Sequence, residues 1–293
     1  MVAAGAAPPA VGHDLERIAR IRSDRWIAYP RAVQALDRLH ELFEYPRRLR
    51  MPNLLIVGPT NNGKSMIAEK FRRDLFGAVA EAAAASQPVL IVQMPASPDV
   101  RTVMGALLGA IGLTPFSSHN LAGREHTLVK ALRTSGVRMI VIDELHNMLA
   151  AHGRQQHQLL NLLRWLGNEL QIPLVCIGTR DAYLALRTDD QLENRFEPFV
   201  LPPWSHGPEF SALLASFEQA LQLERSSDLG APALSAIILL KTDGIIGEVA
   251  TLLARAASHA IRTGVERIDR QVVDACGHQS PSERRRSMER ALR

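Results

Sequence analysis

From Asn53 onward, short apolar runs alternate with longer stretches of helical periodicity. The runs are Leu54-Leu55-Ile56-Val57, Val89-Leu90-Ile91-Val92, Met139-Ile140-Val141-Ile142 and Leu174-Val175-Cys176-Ile177. Continuous apolar runs of this length, bounded by polar segments, read as strands buried on both faces of a parallel sheet. Between them, Lys64 to Phe76, Val100 to Ile111, Leu121 to Arg133 and Gln155 to Leu170 are each long enough for a crossover helix. The pattern predicts an α/β fold, a three-layer αβα core around a parallel sheet.

The flanks read differently. Residues 1–50 place Ile18, Ile21, Val33, Leu36, Leu39, Leu42 and Phe43 at helical spacing, with Pro30 able to start a helix and Pro46 to end one. After Leu201-Pro-Pro-Trp204 the strand-like runs stop. Phe210 to Leu223, Ala233 to Leu240, Gly247 to Thr263 and Asp269 to Cys276 follow, all helical in period. The expected division is an N-terminal helical extension over 1–50, an αβα core over 51–203, a small all-helical lid over 204–280 and a basic tail over 281–293. That tail, with Arg284, Arg285, Arg286, Arg290 and Arg293, is expected to fray into solvent. Ala82 to Ala85 is a short biased run, and no internal repeat stands out.

Composition narrows the class without naming a function. The 293 residues are 46% hydrophobic and 22% charged, a globular mixture with enough chain for a large core. Cys176 and Cys276 are too few for a disulfide framework and have no metal-ligand spacing, which fits a reduced, cytoplasmic setting. The opening segment has no basic and apolar regions of a signal peptide, and no apolar run approaches a membrane span, so a soluble chain is expected. Net charge is +4 with a pI near 9.4, mildly favouring an acidic partner such as nucleic acid. Thirty of the 34 basic residues are arginine, which suits phosphate contacts and equally follows from a GC-rich coding sequence.

The chemistry concentrates after the first strand. Gly58-Pro59-Thr60-Asn61-Asn62-Gly63-Lys64-Ser65, with Met66 following, matches the P-loop pattern and lies between an apolar strand and a helix, where that loop must lie. The glycines permit a tight loop whose N–H groups face phosphate at a positive helix end. Lys64 is expected on the β- and γ-phosphates of ATP and Ser65 on Mg²⁺. Asp143-Glu144 ends the strand Met139–Ile142 as a Walker B pair: Asp143 to meet the Mg²⁺, Glu144 to polarise water. The alternative for this pair is a helix cap. Thr179, after the next strand, either reports the γ-phosphate or caps the following helix. Arg195, in Asn194-Arg195-Phe196, is a candidate finger for a neighbouring subunit's γ-phosphate or else an ordinary surface arginine.

With these elements in this order the chain resembles the AAA+ ATPases, specifically the TniB-type transposition ATPases related to TnsC, MuB and IstB. The carrying residues are Tyr29-Pro-Arg-Ala32, Leu36-Asp-Arg-Leu39, Arg50-Met-Pro-Asn53 through Ser65, Ile142-Asp-Glu-Leu-His-Asn147, Cys176-Ile-Gly-Thr179, Asn194-Arg-Phe196 and Leu201-Pro-Pro-Trp204. The resemblance implies an ATP-regulated adaptor that assembles as a homo-oligomer or helical filament on double-stranded DNA, without sequence preference. It further implies engagement of a DDE transposase, and of a TniQ-like target-selection protein, with recycling by hydrolysis. Under it, Lys64, Ser65, Asp143 and Glu144 take the Walker roles, Thr179 is sensor 1 and Arg195 acts in trans. Trp26 and Tyr29 lie near the adenine, unless either is ordinary core packing. One departure is visible: Gly244-Ile-Ile-Gly247-Glu248 carries glycine where many AAA+ lids carry a sensor 2 arginine, with Arg255 as a substitute or as a solvated helix residue. Arg101, Arg124, Lys130 and the tail arginines are scattered candidates for DNA phosphates. Alternatives left open by the residues are a nucleotide switch with little turnover and an ATPase of secretion or helicase-loader type.

Overall fold

In the computed structural model, the described residues are 10–79, 87–114, 121–151 and 153–292. The run Ala82 to Ala85 and Arg293 lie outside them. The chain forms two compact units, one of Pro30–Pro202 and one of Met1–Tyr29 with Pro203–Arg293. The lead-in is therefore shared: its first helix belongs with the C-terminal helices and its second with the sheet.

The Pro30–Pro202 unit opens with α2 (Pro30–Glu44), which follows α1 (Ala10–Arg22) of the other unit. Five strands follow: β1 (Asn53–Val57), β2 (Val89–Gln93), β3 (Met139–Asp143), β4 (Leu174–Gly178) and β5 (Phe196–Val200). They form one sheet in the order β2-β3-β4-β1-β5, and every pairing is parallel. The three-layer reading holds. The crossovers are α3 (Lys64–Val79), α4 (Val100–Ala110), α5 (Leu121–Thr134) and α6 (Arg154–Leu170), with α7 (Arg180–Leu186) and the short α8 (Asp190–Glu193) before β5. Because β1, β3 and β4 are buried on both faces, they tolerate the unbroken apolar runs seen in the sequence. β5 was legible only in part. Its pattern of Phe196 and Phe199 buried, with Glu197 and Pro198 exposed, is that of an edge strand.

The internal strand ends are tied by side chains as well as by the ladder. Asn53 is buried and its side-chain oxygen accepts from the Leu174 N–H at 2.9 Å, locking the start of β1 to the start of β4.

The second unit contains α1, α9 (Pro208–Leu221), α10 (Pro232–Thr242), α11 (Ile246–Arg262), α12 (Arg270–Ala275) and α13 (Pro281–Ala291). Carboxylates tie its loops. Glu218 accepts from the backbone N–H groups of Ser227, Asp228 and Leu229 and from the Ser226 hydroxyl. Burial alone would raise its pKa, but these four donors outweigh burial and lower it. Glu266 receives a two-pronged bond from Arg17 of α1, at 2.9 and 2.8 Å. Chiefly because of that bond its pKa is also lowered. The tail does not fray as the sequence suggested. Ser280 and Glu283 form a capping box, Pro281 occupies the first turn, and Arg284 grips the buried Glu248 at 2.8 and 3.0 Å. Among the described residues no helix is long and apolar enough to cross a membrane.

Each side chain of the Arg17–Glu266 pair retains only 11% exposure, so deleting one partner strands a nearly buried charge. Arg17→Ala is expected to cost about 3 kcal/mol. Arg38→Ala, which breaks an exposed pair with Glu197, should cost under about 1 kcal/mol. Urea unfolding of the two variants measures the contrast. The lowered pKa values of Glu218 and Glu266 mean that the folded form holds their charge more tightly than the unfolded form does. Their contribution is thus present above about pH 4.3 and is lost as pH falls through the depressed folded values. Glu266→Gln should flatten the acid side of a stability-against-pH curve.

Candidate functional site

β1 ends at Val57 and the chain turns through Gly58–Gly63 into α3. A Cβ on Gly58 would stand 2.6 Å from the Leu201 carbonyl oxygen, so only glycine fits the close approach. Asn61 (φ 61°) and Gly63 (φ 79°) adopt left-handed backbone, which asparagine and glycine accept most readily. The turn is stitched to its neighbours: the Gly58 N–H donates to Gly178 O at 3.2 Å, and Leu201 N–H donates to Val57 O at 2.7 Å. Asn62 is buried, and its amide donates to the carbonyls of Leu201 at 2.9 Å and Pro202 at 3.2 Å. Its side chain therefore serves the loop's shape. Thr60 is exposed, and Pro59 and Met66 are half-buried on either side of the turn.

Lys64 is 6% exposed, with its ammonium donating to Gly58 O at 2.9 Å and Pro59 O at 2.5 Å. Burial lowers its pKa, and the charges of Asp143 and Glu144 pull the other way. A buried ammonium over a glycine loop at the start of a helix fits a phosphate chain. The Ser65 hydroxyl donates to Asp143 Oδ2, so α3 and β3 bring two hard oxygen donors together. That donor set fits Mg²⁺. Asp143 Oδ1 accepts the Glu144 N–H at 2.7 Å, which orients the carboxylate.

Glu144 itself has φ 54° and ψ 37°, a left-handed conformation costing a non-glycine residue about 1 kcal/mol. It makes no side-chain cap for the short 3-10 helix Leu145–Ala150 that follows, so the capping alternative for the acidic pair fails. Its Oε2 instead meets His146 Nε2 at 2.9 Å. Thr179 stands at the N-cap position of α7 but its hydroxyl makes no cap bond; Oγ1 is buried without a partner among the described residues. A buried hydroxyl left unpaired costs about 1–3 kcal/mol, which capping would have recovered. The sequence motif contained His146 yet gave it no role. The signal was there, a histidine two positions after an acid at a strand end.

Arg195 lies at the other end of the sheet. It precedes β5, whose register with β1 runs Asn53↔Phe196 to Val57↔Val200, so a strand of roughly 16 Å separates it from the loop at Gly58. Its guanidinium donates to Asn168 Oδ1 at 2.8 Å and borders a groove of about 810 Å³ shared with Arg48 and Arg50. Burial lowers its pKa, as do the charges of Arg50 and Arg164, with Asp189 opposing.

In the helical unit, the Tyr29 ring packs edge-on against Trp204 at 5.2 Å, and burial raises its hydroxyl pKa to about 12. Trp26 is half-buried. Gly247 and Glu248 open α11, where Glu248 pairs with Arg284, while Arg255 donates to Gly277 O at 3.2 Å. Of the basic candidates, Arg101 and Lys130 are exposed, whereas Arg124 is buried at 6% and is no solvated surface residue. Arg101 and Arg124 border one cavity of about 530 Å³ with Trp165.

A family model described as bacterial TniB protein matches residues 17–206, a span holding the loop, both acids, Thr179 and Arg195. The chain belongs to the TniB family. Its fold is that of the AAA+ ATPases. The TniB-family chain is similar to the Aeropyrum pernix ORC1 protein solved in complex with DNA, at 21% identity and a TM-score of 0.65, covering 88% of this chain and 68% of that one. It is also similar to the Aeropyrum pernix ORC2 protein in ADPNP-ADP complexes, at 16% identity and a TM-score of 0.62, covering 88% and 70%. A third is Drosophila ORC bound to DNA, at 14% identity and a TM-score of 0.62, covering 94% and 68%. At these identities the likeness establishes the fold of this TniB-family chain. No curated protein matches it.

Gly58→Ala should reduce affinity for a fluorescent ATP analogue at least about tenfold, since the added methyl meets backbone that cannot give way. Thr60→Ala, at an exposed tip, should leave it within about twofold. Titration of both variants measures the difference.

Proposed function

We propose that this TniB-family protein is an ATP-regulated DNA-binding adaptor of transposition. In this reading it works in the cytoplasm, assembles with Mg-ATP as a homo-oligomer or helical filament on double-stranded DNA, recruits a DDE transposase, with a TniQ-like protein as a further partner, and is recycled by hydrolysis. The observation that carries the reading is a TniB match over residues 17–206, a span that holds the glycine loop, Lys64, Ser65, Asp143 and Glu144. The DNA-bound ORC structures of the same fold support the DNA part by analogy only.

Each residue has a part. The loop N–H groups and Lys64 bind the β- and γ-phosphates. Ser65 and Asp143 hold Mg²⁺, which when bound neutralises charge on the phosphate oxygens. Glu144 takes a proton from the attacking water, and Thr179 senses the γ-phosphate. A strand's length separates Arg195 from the loop of its own chain, which supports a finger serving a neighbouring copy. Exposed arginines, Arg101 and the tail's Arg285, Arg286 and Arg290 among them, suit phosphate contacts that ignore sequence and weaken with salt.

Filter binding and electron microscopy with duplex DNA, Mg²⁺ and ATP test this. Association is expected with ATP, lost with Lys64→Ala, and steeply reduced by added salt; no ATP-dependent association at low salt would overturn the reading. Glu144→Gln should abolish turnover and trap the ATP-bound assembly. Mixing Arg195→Ala with Glu144→Gln should recover part of the hydrolysis that each lacks alone, because one supplies a sound site and the other a sound finger in an assembled, ATP-bound copy. No recovery at any ratio would remove Arg195 from a trans role.

A further inference from the structure

Arg195 has company at the edge where the strands begin. Its groove of about 810 Å³ is also lined by Arg48 and Arg50, from the turn that leads into β1. That turn is anchored: Met51 is buried, and its sulfur accepts the Arg48 N–H at 3.4 Å. Arg50 is exposed, and Leu49 beside it is 79% exposed. The Asn53 N–H donates to Arg195 O at 3.0 Å, which ties the two arginine-bearing segments together. The charges here are lopsided. Of the groove's acids, Glu193 pairs with Arg187 at 3.0 Å and Glu197 with Arg38, which leaves Asp190 against three guanidinium groups. Arg164 is answered by Asp189 at 3.5 Å and by Gln191 at 2.9 Å. Arg195, by contrast, is held by a neutral partner, Asn168, and the charges of Arg50 and Arg164 both bear on it. Like charges gathered this way repel, and an entering polyanion relieves the repulsion.

We propose that Arg50 is a second contact made in trans, closing with Arg195 on the triphosphate held by a neighbouring copy. This rests on the reading of Arg195 as a finger for that copy. Arg50 precedes β1, whose far end leads into Gly58, so the strand that keeps Arg195 from its own loop keeps Arg50 from it as well. A second copy brings what this edge lacks. The edge where its strands finish presents Asp143, Glu144 and, with ATP bound, the triphosphate, so that basic meets acidic across the contact. Leu49 adds an apolar contact between Arg48 and Arg50. A triphosphate gathers several charges within one groove, whereas a DNA strand offers one per nucleotide, and convergent arginines match the compact anion better.

The test measures steady-state ATP turnover of the full chain with Mg²⁺ and duplex DNA, in mixtures of variants. Arg50→Ala is expected to lower kcat about tenfold or more. Its affinity for a fluorescent ATP analogue without DNA should stay within about twofold, which also certifies that the variant is folded. An excess of Glu144→Gln, with a sound arginine edge and a dead site, should restore most of the turnover of Arg50→Ala. An equal mixture of Arg50→Ala with Arg195→Ala should stay at the mean of the two alone, because every sound site then meets a damaged edge. The proposal falls if Arg50→Ala turns over within about twofold of the parent, if Glu144→Gln restores nothing, or if the mixture with Arg195→Ala recovers. It also falls if Arg50→Ala weakens DNA binding and flattens its salt dependence while turnover per DNA-bound chain equals the parent's, for the phosphate is then the DNA's. Arg195→Ala mixed with Glu144→Gln separates the failures. No recovery there overturns the trans reading itself, while recovery there and none for Arg50→Ala overturns only the second contact.

Discussion

The candidate site depends on β1 being hydrogen-bonded on both sides by parallel strands. With β4 on one side and β5 on the other, the end of β1 has fixed neighbours: Gly178 on β4 and Leu201 just past β5. The P-loop is built into that gap. Gly58 passes so close to the Leu201 carbonyl that a methyl would be excluded, and Asn62 donates to that same carbonyl. The parallel direction does the rest, because it delivers Asp143 and Thr179 to the same edge without any contribution from the loop.

Much of this was readable from residues in order. β1, β3 and β4 announced themselves as apolar runs because internal parallel strands have no polar face to interrupt them, and β2, although an edge strand, did so because it still buries Val89, Leu90 and Val92. β5 did not, since an edge strand with Glu197 and Pro198 outward carries half the signal. The loop and the Walker acids were legible because their chemistry fixes both residue type and spacing. What the sequence could not reveal was pairing across distance. Nothing in the chain order couples Asn53 to Leu174 or Arg17 to Glu266; these depend on neighbours far along the chain. The arginine-rich tail departs from what its composition suggests for a related reason. Its composition reads as solvated, but a capping box and one distant acid, Glu248, suffice to hold a helix.

The helical unit follows a different economy from the sheet unit. Its elements are joined by carboxylates that each collect several donors: Glu218 gathers one loop, Glu266 holds α1, and Glu248 holds α13. Such nodes need ionised acids and leave the unit's cohesion sensitive to protons in a way the apolar sheet is not. His278, against Glu248 and the Lys241 carbonyl, sits at one of these nodes with its pKa lowered by burial.

Arg195 lies at the starting edge of the sheet, while the glycine loop occupies the finishing edge. If the arginine serves the next copy, an open assembly has two unlike ends. At one, a loaded site faces solvent with no guanidinium to complete it; at the other, an arginine points at nothing. Interior copies can then fire while the terminal one keeps its nucleotide, so loss of subunits would begin within the array or from a single end, and the polymer would carry a built-in polarity of ageing.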